Sequence, residues 1–185
     1  MNRLVGLPSF LRTMVQHVPD GEASLNPGDV WVLSSNSEFL GLAMVAAVKQ
    51  SFVLAWPVTL PNEPAYPPAQ QAGSWPSGEE LWVWPTRETG LSTHLLHSPL
   101  GRALSPNKIK PVALALDDGD DPGLPLAKGQ RDEQHDAQML EKWQALCFIT
   151  CPADPLHILD HTAFQDAGGS SQLATQVLGL PPAVS

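Results

Sequence analysis

The sequence predicts a mainly-β protein with an N-terminal helix and a helical C-terminal extension. Three observations carry that expectation. Short apolar runs punctuated by turn residues fill the stretch from Pro27 to Leu116. Nineteen prolines break the chain too often for long helices. Two amphipathic stripes, one near each end, have helical rather than strand spacing.

Leu7 to Val18 reads as the first helix. Pro8 suits an opening turn, where a missing N–H costs nothing, and Phe10, Leu11, Met14, Val15 and Val18 share one stripe. Pro19, Asp20 and Gly21 stop it. Pro27-Gly28-Asp29 is a turn into a strand, Val30 to Leu33, with Trp31 and Leu33 on one face and Val30 and Val32 on the other. A polar loop, Ser34 to Ser37, follows. Leu40 to Val48 and Phe52 to Val58, split by Lys49-Gln50-Ser51, predict an antiparallel hairpin. Both runs are apolar at nearly every position, so both faces are expected to be covered. Pro61 to Gly78 holds five prolines and reads as a long loop. Leu81 to Trp84 is a strand ended by Pro85; Leu91 to Leu104 is expected to be helical in part, kinked at Pro99; Val112 to Leu116 reads as a further strand. Asp132 N-caps a second helix, with Glu133 and Asp136 at its positive end and Met139, Leu140, Trp143, Leu146 and Cys147 as its buried stripe. The expected organisation is therefore a β domain with its leading helix over 1–116, an acidic linker over 117–131, a helical extension over 132–167 and a flexible tail over 168–185.

Composition limits the function classes. Net charge is −9, and eleven of the nineteen Asp and Glu residues lie between Asp117 and Asp166, with no Lys or Arg after Lys142. Such a field disfavours nucleic acid and anionic lipid and suits a partner with a basic surface. Two cysteines are too few for a disulfide scaffold. No apolar run approaches the ~20 residues of a membrane span, and no secretory pattern is present, so a cytoplasmic protein is expected.

The block from Gly28 to Ser105 carries a resemblance. Gly28-Asp29-Val30-Trp31 is similar to the opening strand of the MazF/PemK family of toxin endoribonucleases. Leu42 to Val48 and Phe52 to Thr59 resemble its next strands, with Pro57-Val58-Thr59 matching a P-[IV]-T piece. Leu81 to Arg87, and then Leu100-Gly101-Arg102-Ala103-Leu104-Ser105, resemble its later strand and LGRLS segment. The fold this implies is a small SH3-like barrel, commonly dimeric. The activity it implies is cleavage of single-stranded RNA, by an arginine from an inter-strand loop set near a Thr or Ser. Thr59 stands where the family's Thr would be. The matching loop, Ser34 to Leu42, has no Arg or Lys, and no cation occurs between Arg12 and Lys49. Phosphodiester cleavage needs positive charge where negative charge develops. Arg87 and Arg102 are the nearest candidates for a rebuilt site. Pro111 also interrupts the segment after Ser105, where the family has its terminal helix.

Five tryptophans, Trp31, Trp56, Trp75, Trp82 and Trp84, fall within fifty-four residues. They suit core packing or an aromatic docking patch. Trp82 and Trp84 share a strand face. Trp75, in the proline-rich loop, is expected to be exposed, and these three are the candidate binding residues. Cys147, Cys151, His157 and His161 form a C-x3-C-x5-H-x3-H pattern whose inner gap is shorter than in finger-type zinc sites, so no cofactor is expected. His94 and His97 lack further ligands nearby, and no nucleophile elbow or phosphate-binding loop is present. The expected function is a non-catalytic acidic interaction module that binds or masks another protein; the alternative is a toxin-type endoribonuclease using Thr59, Arg87 and Arg102.

Overall fold

The computed structural model describes residues 4–15, 24–50 and 52–147. Seven strands form one antiparallel sheet: β1 (Asp29–Ser35), β2 (Glu38–Val48), β3 (Phe52–Val58), β4 (Gln70–Ser74), β5 (Glu80–Val83), β6 (Thr89–Ser92) and β7 (Leu96–Arg102). Helices α1 (Ser9–Val15), α2 (Pro106–Asp118) and α3 (Glu133–Leu146) pack around it. The spatial order is β4-β5-β3-β2-β1-β7, with β6 also on β3. The two ends of this path are not joined by ladder hydrogen bonds among the described residues, so the sheet is not a closed barrel. They do come close: a Cβ on Gly73 of β4 would lie 3.2 Å from the Ala103 carbonyl just beyond β7.

The hairpins follow from local chemistry. Asn36 and Ser37 both have positive φ (50° and 64°) and form the two-residue turn between β1 and β2. That geometry suits a right-twisted hairpin. β2 and β3 pair as their apolar runs predict, Met44 opposite Trp56 and Val45 opposite Ala55, with a register shift between Val45 and Ala47. Gly28 has φ of 92°, and a Cβ there would sit 1.8 Å from the Leu104 carbonyl oxygen. Only glycine fits where this turn meets the segment after β7.

Both faces of the sheet are covered, and strand alternation sorts residues between two cores. Val30, Val32, Leu42, Met44, Trp56 and Val58 face one core, with Leu11 of α1 and Ile109 and Val112 of α2. Trp31, Leu33, Ala43, Val45, Val53 and Ala55 face the other, with Trp84 and with Met139 and Trp143 of α3. Asp132 caps α3, its side chain accepting from the His135 N–H.

Four expectations are corrected. Val112 to Leu116 lies in α2: Pro106 opens the helix, Gly119 closes it in the left-handed conformation, and Ile109 and Val112 are its buried stripe. Pro111 sits inside that helix and does not end it. Leu91 to Leu104 is mostly strand, its helical part confined to a single 3-10 turn at Thr93–Leu95, and Pro99 pairs with Trp31 on the terminal strand β7. A strand with one unpaired side tolerates a missing donor. The Pro61 to Gly78 loop contains β4. The expected flexible tail over 168–185 lies outside the described residues, as do Cys151, His157 and His161.

Candidate functional site

The end of β3, the loop after it and α3 converge on two adjoining clefts. The smaller, about 180 Å³, has Gly41, Thr59, Trp84, His135 and Lys142 among its lining residues. The larger, about 830 Å³, is lined by Glu63, Glu79, Glu80, Trp82, Leu126 and Lys128 among others. Leu60 and Glu63 line both, so the clefts share a wall.

Thr59 follows β3 and is buried. Its N–H bonds the Trp82 carbonyl at 3.0 Å, and its Oγ1 accepts from Trp84 Nε1 at 2.7 Å. This side-chain bond gives Thr59 a structural task, because Trp84 is fully buried and its indole N–H would otherwise lack a partner. Trp84 also meets the Tyr66 ring edge-on, with centroids 4.9 Å apart.

The two arginines are engaged elsewhere. Arg87 Nη2 reaches Asp136 Oδ1 at 2.5 Å, and Arg131 Nη2 reaches Asp136 Oδ2 at 2.6 Å. Asp136 thus takes one guanidinium on each oxygen and ties α3 to the turn after β5. Burial would raise its carboxyl pKa, but the Arg131 hydrogen bond and the charges of Arg87 and Arg131 outweigh burial and hold it below the ordinary value. Burial, aided by the Asp136 charge, pushes the neighbouring Tyr66 hydroxyl up. Arg102 Nε donates to Asp29 Oδ1 at 3.0 Å. Among the described residues neither arginine hydrogen-bonds Thr59, so the structure does not assemble these three into one site.

The tryptophans divide. Trp75 is 4% exposed, which corrects the expectation that it faces solvent. It packs edge-on against Phe10, with centroids 5.9 Å apart. The leading helix covers it, a contact that loop composition could not reveal. Trp84 is buried at the wall of the smaller cleft. Trp82 is half-buried and lines the larger one. Of the three binding candidates, Trp82 alone joins a cleft while keeping solvent exposure.

Two site residues escape sequence reading. Lys142 projects from α3 so that its Nζ would lie 3.1 Å from a Cβ on Gly41. The missing side chain at Gly41 makes room for the ammonium. Lys142 is exposed by surface area, yet the protein packed about its side chain lowers its pKa, and the Glu63 charge opposes this. Glu63 itself accepts the Leu60 N–H at 2.9 Å. No local pattern in the sequence links Lys142 to Gly41.

Among the described residues no group of His, Cys, Asp and Glu could hold a metal, and no helix is long and apolar enough to cross a membrane. Comparison with protein-family models and with curated proteins gives no match.

Proposed function

We propose that this chain is a non-catalytic interaction module that grips a basic segment of another protein in the larger cleft. One observation carries the reading. Glu63, Glu79 and Glu80 line that cleft against a single opposing Lys128, beside Trp82 and the exposed Leu126. Carboxylates around a half-buried indole suit a ligand with cationic groups and an apolar anchor. The engagement of Arg87 and Arg102 with Asp136 and Asp29 supports the absence of catalysis. The curved sheet is read as an SH3-like framework, supported by the strand order and by the approach of Gly73 to Ala103, and the two-cysteine composition supports a cytoplasmic setting.

The test is affinity capture followed by titration of the captured partner at rising salt. Affinity falls steeply between low and physiological salt, and Trp82→Ala weakens it about tenfold or more. Salt-independent binding, or full affinity in Trp82→Ala, counts against the reading.

A second reading, cleavage of single-stranded RNA, is favoured by Thr59 sharing the smaller cleft with His135 and Lys142, a titratable group and a cation. Single-stranded RNA left intact by the purified chain removes it.

A further inference from the structure

The larger cleft carries two hydrogen-bond donors that the fold leaves unused. Gln71 of β4 and Trp82 of β5 stand directly opposite one another in the ladder, so their side chains share one face of the sheet, and both line the cleft. Among the described residues neither the Trp82 indole N–H nor the Gln71 amide has a partner. Neither is sealed from solvent, unlike the unpaired indole N–H groups of Trp31 and Trp75. An occupant that covers these donors without offering acceptors would leave them buried and unpaired, which is costly.

That requirement sorts the shapes a held segment can take. A helix spends its carbonyls on its own N–H groups, so its flank offers no acceptor. An added strand needs a free margin, and the margin of β4 beside this cleft is taken: Gln71 N–H bonds the Pro125 carbonyl at 2.8 Å, and Ala127 N–H bonds the Ala69 carbonyl at 2.9 Å. A polyproline helix meets neither obstacle. It makes no internal hydrogen bonds, so its carbonyls stay available, and each proline removes an N–H that would itself need an acceptor. Pro61, Pro125 and Leu126 give the cleft apolar lining for its rings.

We propose that the basic segment held in the larger cleft is proline-rich and extended, its carbonyls accepting from Trp82 and Gln71 and its flanking Arg or Lys meeting Glu63, Glu79 and Glu80. This inference rests on the module reading above and specifies the conformation of what is held. Two of the carboxylates are already set in place. Glu63 accepts the Leu60 N–H at 2.9 Å and Glu79 accepts the Ser77 hydroxyl at 3.1 Å, each through one oxygen, which leaves the other for a cation. Grooves with an aromatic lining are a recurrent way of reading polyproline segments.

The experiment titrates the full chain with two synthetic decapeptides, each with a pair of arginines at one end. One carries prolines through the rest of its length; the other has alanine at every such position, so the charge is the same. The proline peptide binds, and the alanine peptide binds about tenfold more weakly, because it brings extra N–H groups and lacks the preformed extended shape. Trp82→Phe keeps an aromatic ring but loses the N–H, and Gln71→Met keeps the length but loses the amide. Each weakens the proline peptide about fivefold or more, the worth of one hydrogen bond. The comparison of peptides uses the wild-type chain and so does not depend on how either variant folds. Equal binding of the two peptides, or full affinity in either variant, overturns the proline-rich assignment while the module reading stands. If neither peptide binds even at low salt, both readings fall.

Discussion

Thr59 shows how one hydroxyl can be occupied by the fold before any chemistry is asked of it. The buried Trp84 indole donates to it. Thr59→Ala therefore leaves a buried N–H unpaired, which costs about 1–3 kcal/mol. Thr59→Ser restores the acceptor and most of the stability. Urea unfolding of the two variants measures this, and equal losses in both would mean that the threonine methyl rather than the hydroxyl carries the effect. The position of Thr59 at the end of a strand was readable from the Pro57-Val58-Thr59 run. Its partner was not, because Trp84 lies just past another strand, β5, and the pairing of β3 with β5 rests on few residues, Val58 opposite Val83. Asp136 was likewise legible as an N-terminal helix acid, but not as the meeting point of Arg87 and Arg131.

At the scale of elements, α3 is held by two unlike attachments. Met139 and Trp143 bury into the second core, and Asp136 takes two guanidiniums at its side. The ionic attachment depends on pH with a definite sign. The folded carboxyl has a pKa below its ordinary 3.8, so it adds stability above that value and loses it as pH falls through the lower folded one. Asp136→Asn lacks this contribution at every pH. The stability gap between wild type and Asp136→Asn is thus widest near neutrality and narrows below about pH 4, by the ordinary carboxylate range. Denaturant melts at neutral and acid pH read it, and a gap that stays constant would show that the charge is irrelevant. β1, β2 and β3 were legible because dense apolar runs between short polar breaks leave little choice of structure. α2 was not. Val-Ala-Leu-Ala-Leu at 112–116 satisfies a period of two as readily as it continues the helical stripe from Ile109, and Pro106 with Gly119 decides between them. β7 was hidden by Pro99, which signals a break but is tolerated on a strand that has one unpaired edge among the described residues.

The whole molecule is organised by one sheet with a core on each side. β2 and β3 contribute alternate residues to both cores, so neither can loosen without moving the walls of the other. Unfolding is then expected in a single step. Far-UV circular dichroism and tryptophan fluorescence should give coincident urea midpoints, since Trp56 and Trp75 report one core and Trp84 and Trp143 the other. Separated midpoints would show that the α3 side melts independently. Composition made the acidic character of the molecule plain but could not arrange it. Glu63, Glu79 and Glu80 lie in sequence well before the acid-rich stretch, and only the return of the 125–129 segment past β4 and β5, fixed by the Gln70–Leu126 bridge, makes them walls of one cleft.

The open ends of the sheet carry a further consequence. β4 is bulged between Gln71 and Gly73, and β7 is out of step with β1 at two places and includes Pro99. A neighbouring chain seeking to add a strand there would meet irregular spacing at one margin and a missing donor at the other. Among the described residues, such margins deter the addition of a further strand by a neighbouring chain.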